Sequence, residues 1–330
     1  MGRYLHNYGW IGVELFFLLS SYLLTKILLN EYELTKSVNI KKFFLRRILR
    51  IWPLYFAFLA GSMFFLYLGF HEKDQYYTIG RLFGLLTFTD NILTALRGFN
   101  NIPFSPHLWS ISFEEQFYVL LPFILPFFIK SRNKVLNFII IIWAYIICLR
   151  VLCVLMKFQG PFIWTLIIQG DTLLLGILLA FGTLNKFFAF FNPVLQILIG
   201  TILLWLLCYL PDIDTVGFHQ VYMYTLIGFG FIFIVNGVIT SDNKIIHLVF
   251  GNALIRYLGK ISYGLYVFHL ICIYFSNKLI LKLGISNHWF TSFILACSTT
   301  IIISVLSYEI YEKKFLKLKE KYTIIKSRPV

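Results

Sequence analysis

Arg47 and Arg50 stand three residues apart in a basic run from Lys41 to Pro53. On a helix that spacing puts both side chains on one face. Two guanidinium forks side by side suit a phosphate or pyrophosphate, which a lone lysine would hold only as a point charge. The same run would also anchor the chain to anionic lipid. Glu114 and Glu115 are adjacent, so on a helix they point about 100° apart and cannot share one task. Glu114 shares a face with Ser110 and Tyr118 at four-residue spacing. The pair fits either a site acid beside a solvated one or two acids at the start of a helix. Glu14 and Asp171 lie among apolar residues, where an ionisable group is a functional candidate by default. Glu14 could equally reach the interface. Asp171 needs a partner from another helix; Arg150 is available, although it could also extend outward. Glu309 and Glu312 read as interfacial. His269 fits a packed hydrogen-bonding role or a catalytic one, and His6 and His107 are open in the same way. The chain carries no HExxH, CxxC or glycine-rich phosphate loop.

The elements that position these residues must be membrane helices. The 330 residues are 59% apolar and 13% charged, with mean hydropathy +0.78. A soluble domain carries about 25% charge. Between the grouped charges lie apolar runs long enough for a bilayer, which takes ~20 residues. All five cysteines (Cys148, Cys153, Cys208, Cys272 and Cys297) fall inside such runs. They read as small buried hydrophobes, with no disulfide framework and no metal site. A net charge of +14 would suggest nucleic acid in a soluble protein; here it marks the cytoplasmic side of a membrane.

Nine crossings are expected, near 9–29, 51–70, 114–129, 135–156, 162–183, 194–211, 222–240, 262–281 and 290–311. The segment 79–97 is apolar in part but holds Arg81, Asp90, Asn91 and Arg97, and is expected to stay outside without crossing. That choice places most of the 29 Lys and Arg on the inner side, with the N-terminus outside and the C-terminus in the cytoplasm. No internal repeat is evident, which weighs against an inverted-repeat transporter. A transporter or channel using Glu14, Glu114 and Asp171 as a polar path remains the alternative from another class.

Several strings, in order, resemble the membrane-bound acyltransferase family 3, whose members O-acylate polysaccharides, lipopolysaccharide and macrolides. Gly12 to Ser20 looks like the family's second helix, and Arg46 to Tyr55 like its cytoplasmic RxxR signature. Trp109 to Tyr118 is similar to its acidic motif, Gly170 to Ala180 to its mid-chain Asp helix, and Ile261 to His269 to a segment near its C-terminal end. The family's first helix, with an Arg and a His about ten residues later, has no clear counterpart, and His6 is the residue nearest its place. The family's usual Arg two residues before the mid-chain Asp is Gln169 in this chain.

The resemblance implies an all-α, polytopic transmembrane bundle, a single domain over 1–330, with about nine spans here and ten in an intact member. It implies a multi-pass cell-membrane O-acyltransferase moving an acyl group, acetyl first, from acyl-CoA to a hydroxyl of a sugar, glycan or lipid-linked saccharide. Acyl-CoA is then a substrate, and no bound cofactor or metal is expected. The partners are acyl-CoA, a carbohydrate or glycolipid acceptor and membrane lipid, with no nucleic acid. Catalysis would fall to Glu114 and a histidine, His6 by position. Arg47 and Arg50 would bind the donor's phosphates, with Glu14, Tyr118, Asp171, Tyr263 and His269 in supporting roles. An inactive truncated relative is the remaining alternative.

Overall fold

The computed structural model describes residues 9–70, 75–129, 131–158, 169–211, 215, 217–285 and 288–323, and these form helices and turns with no strand. The helices used below are α1 (Ile11–Thr35), α2 (Ile40–Tyr67), α3 (Gln75–Leu86), α4 (Asp90–Arg97), α5 (Trp109–Ile129), α6 (Arg132–Leu155), α7 (Asp171–Phe181), α8 (Pro193–Leu206), α9 (His219–Thr240), α10 (Ala253–Lys282), α11 (His288–Ser307) and α12 (Lys313–Glu320). Among the described residues seven segments are long and apolar enough to cross a membrane, and two shorter apolar ones, Asp171–Phe181 and Pro193–Tyr209, stand with them. Together they fall on the nine expected segments, with 162–168 of the fifth lying outside the described residues. The region 79–97 instead forms α3 and α4, of 12 and 8 residues, each shorter than a crossing takes. Large apolar side chains such as Phe127, Ile141 and Leu306 point outward, as a lipid-facing surface requires.

Helix starts shift the expected boundaries. α1 ends at Lys36, whose backbone is left-handed at φ 55 and whose N–H returns to the Tyr32 carbonyl. Asn39 then caps α2 by accepting from the Lys42 N–H at 2.9 Å. The basic run is therefore the first turns of a 28-residue helix rather than a loop ahead of one. α5 likewise starts at Trp109, so Glu114 and Glu115 sit in its second turn. That removes the helix-start explanation for them.

Glycine permits the close approach of α7 to α1. A Cβ on Gly176 would collide with Ser21 Oγ and with the Leu18 carbonyl, so only glycine lets these backbones touch. α8 and α9 pair in the same way, with Gly200 against the Gly230 carbonyl. Pro53 lies inside α2, and side chains arrive around it: Tyr263 donates to the Ile51 carbonyl at 3.0 Å and Tyr311 to the Pro53 carbonyl at 3.2 Å. Tyr263 thereby ties α10 to α2.

A π-helical turn, Tyr308–Glu312, joins α11 to α12. The extra residue in that turn rotates the downstream side chains about the helix axis. Glu309 is exposed and pairs with Lys313 at 2.8 Å, whereas Glu312 is buried and accepts from Ser307 at 3.0 Å. The expectation that both are interfacial is corrected for Glu312, which is buried within the protein.

Candidate active site

The buried polar groups sort into two networks. The first runs along one face of α5. Glu114 is 2% exposed and accepts from Tyr118, one turn further along. Ser20 on α1 faces both. The Arg47 guanidinium lies over the Tyr118 ring, 5.6 Å from its centroid. One turn the other way, Ser110 Oγ shares a hydrogen bond with the Tyr266 hydroxyl, which also donates to the His107 carbonyl at 2.7 Å. The His107 and His269 rings meet edge to face at 4.8 Å. At 1.5 Å per residue, Ser110 to Tyr118 spans roughly 12 Å along the helix axis. A file of polar side chains from α1, α2, α5 and α10 thus runs from the arginine end to a histidine pair.

Arg46 parts from Arg47 and Arg50 within the basic run. Arg46 is buried, pairs with Glu31 at 2.8 Å and donates to the Tyr322 carbonyl at 3.0 Å. It fastens the chain beyond α12 to α2. Arg47 faces Tyr118 and feels the charges of Glu114 and Glu115. Neither Arg47 nor Arg50 belongs to the ion pairs of the described residues. Glu115 points away from the Glu114 file and toward α2, where it accepts a long 3.4 Å hydrogen bond from Trp52 Nε1.

The second network is closed on itself. Asp171 pairs with Arg150 and accepts from Trp143 Nε1 at 2.6 Å and Thr225 Oγ1 at 2.7 Å. Arg150 also donates to the Val221 carbonyl at 3.2 Å and lies over the Tyr224 ring. Glu14, fully buried, accepts from Gln169 and from Thr172 Oγ1 at 2.6 Å. These contacts join α1, α6, α7 and α9, and they satisfy the buried charge that would otherwise be costly. Glu14 therefore does not reach the interface, and Asp171 finds the Arg150 partner.

A smaller polar group orders the α3–α4 region. Arg81 Nε meets Asp90 Oδ1 at 3.1 Å, and Asn100 bridges Asp90 and the Ser105 carbonyl. Burial pushes the Asp90 carboxyl above its ordinary value, opposed by Arg81 and Asn100.

His6 lies outside the described residues. Among the described residues, no cluster of His, Cys, Asp and Glu could hold a metal ion. The pairing of His107 with His269 and the part of Tyr266 are not legible in the sequence, because 156 or more residues separate the partners and nothing local links them. The one sequence signal for Tyr266 is its place three residues before His269.

A long-helix bundle with one acid-bearing face and a basic end defines a polytopic membrane protein built around a buried polar file. The family profile described as "Acyltransferase domain" matches residues 6–309, and the chain belongs to that family. A Staphylococcus aureus (strain COL) protein provisionally named an O-acetyltransferase is 29% identical over 337 residues, covering 94% of this chain and 53% of its own. The peptidoglycan O-acetyltransferase OatA of Listeria monocytogenes is 27% identical over 354 residues, covering 98% of this chain and 55% of its own. The O-acetyltransferase OatA of S. aureus (strain NCTC 8325) is 24% identical over 328 residues, covering 94% of this chain and 53% of its own. The chain spans about half the length of these curated relatives. No solved structure matches.

Proposed function

We propose that this chain transfers an acetyl group from acyl-CoA to a hydroxyl of a glycan or lipid-linked saccharide at the membrane. The observation that carries the reading is the polar file joining Arg47 to Glu114, Tyr118, Ser110, Tyr266 and the histidine pair in a member of an acyltransferase family. Arg47 and Arg50 hold the donor's phosphates from the cytoplasmic side. Glu114, held by Tyr118, orients and polarises the acceptor hydroxyl. A histidine takes the hydroxyl proton as oxygen attacks the thioester carbonyl. The C–S bond breaks, the thiolate collects a proton, and the products are an ester and the CoA thiol. By resemblance the histidine is His6; the described histidines on this file are His107 and His269. The carbohydrate acceptor is supported by the relative named a peptidoglycan O-acetyltransferase.

The test is label transfer from radioactive acetyl-CoA to glycan fragments by the purified protein in lipid nanodiscs. Saccharide-dependent release of CoA thiol is expected. Bound donor with no transfer to any glycan would overturn the acceptor assignment.

The donor site makes its own prediction. Arg50→Lys keeps the charge, and hence topology, but loses the planar fork. Coenzyme A binding is expected to fall several-fold by calorimetry, and unchanged affinity would leave Arg50 a lipid anchor.

Sidedness rests on the charge bias. In a cysteine-free background, Leu96→Cys, exposed on α4, should react with an impermeant maleimide in intact cells. Ser37→Cys, exposed between α1 and α2, should react only after permeabilisation. The opposite pattern would invert the bundle and put the arginines on the wrong side for cytoplasmic donor.

A further inference from the structure

The basic end holds a further cation, contributed from far along the chain. α12 packs against α2, with Leu316 buried beside Ile261 and Tyr308. The residues after it are fastened by Arg46, through the Tyr322 carbonyl. Tyr322 N–H in turn bonds the Lys319 carbonyl at 3.0 Å. These contacts hold Lys319, half-buried, on the helix that packs against α2. Arg50, Arg47 and Arg46 act on its charge, and the neighbouring Glu320 opposes them.

Glu31 neutralises Arg46. Arg50 has Glu312 within electrostatic reach and Arg47 has Glu114 and Glu115, but neither is ion-paired among the described residues. Like charges held together out of bulk water disfavour one another, and a lysine on four methylenes ordinarily escapes to water. Lys314, Lys317 and Lys321 are exposed; Lys319 is not. A cation held among arginines is stabilised by an anion that meets them all.

We propose that Lys319 is a third cation of the donor's phosphate site, so that the C-terminal helix forms one wall of it; this rests on the assignment of Arg47 and Arg50 to the donor. Two forks suit a pyrophosphate, and a compact ammonium adds a point charge for a further phosphate oxygen. The shared chemistry, a phosphate anion, could also come from a lipid headgroup, and the test separates the two.

The probe is coenzyme A itself, titrated into the purified full chain in nanodiscs of phosphatidylcholine alone, which offers no anionic lipid. Lys319→Ala should weaken binding about tenfold, as loss of a hydrogen bond between charged groups does. Lys319→Arg should retain most of the affinity, and Lys317→Ala, on the same helix but exposed, should match wild type. Thermal midpoints of the variants establish that each is folded. If Arg50→Lys weakens coenzyme A binding while Lys319→Ala does not, the role of Lys319 is overturned and the donor assignment stands. If the wild type binds no coenzyme A, both fall. If Lys319→Ala leaves coenzyme A binding intact but loses co-purifying phosphatidylglycerol, the anion is a lipid and the proposal is overturned.

Discussion

Glu114→Gln is expected to reduce acetyl transfer by a factor on the order of 10²–10⁴, with the protein's level in the membrane unchanged. Glu115→Gln should keep most of its activity. The two carboxylates are neighbours at the same depth, so a general need for charge or polarity at this level would treat them alike. Their surroundings differ. Glu114 lies on the face that carries Ser110 and Tyr118 and accepts directly from Tyr118, whereas Glu115 turns toward Trp52 at 3.4 Å. Glutamine is nearly isosteric and still accepts from Tyr118, so packing is conserved and the substitution reports on charge and proton handling. Initial rates of transfer, normalised to folded protein by size-exclusion chromatography, make the comparison. Equal rates in the two variants would remove Glu114 from the mechanism, and the reverse order would put the chemistry on the Trp52 side of α5.

The face of α5 is legible in the sequence because helical periodicity is local: residues 110, 114 and 118 line up whatever surrounds them. The nine apolar segments are legible for a similar reason, since length and hydropathy need no partner. Other features depend on tertiary contact. The spacing singles out Arg47 and Arg50, but the structural role of Arg46 shows only when Glu31 and Tyr322 arrive at it. His107 and His269 meet because α10 packs against the start of α5, at a separation no spacing rule reaches. Glu312 departs from expectation for a different physical reason. It stands at the end of the last apolar run and so reads as interfacial, yet it continues the buried row of Thr300, Ser304 and Tyr308 and accepts from Ser307. The start of α2 is hidden because hydropathy marks the crossing only from about 51, and it takes Asn39 as the cap to show that the helix begins at Ile40.

The second large effect concerns stability. Asp171→Asn is expected to destabilise the bundle by about 3–5 kcal/mol, as breaking a buried ion pair does, because Arg150 is left as an uncompensated cation. Arg150→Met should do comparable damage from the other side, leaving the Asp171 carboxylate. The double variant Arg150→Met with Asp171→Asn should recover most of the loss. It removes both charges, and the asparagine oxygen still accepts from Trp143 and Thr225, which hold Asp171 at 2.6 and 2.7 Å. Neutral replacement of a buried pair is often close to harmless, so recovery distinguishes electrostatics from packing. Fluorescence-detected size exclusion after graded heating gives the order of stability. The same samples, assayed for transfer, separate a brace from a participant. Because Asp171 joins α6, α7 and α9 and is not on the Glu114 file, activity in the double variant should return along with the fold. A double variant that is as stable as wild type yet inactive would place Asp171 in the reaction itself.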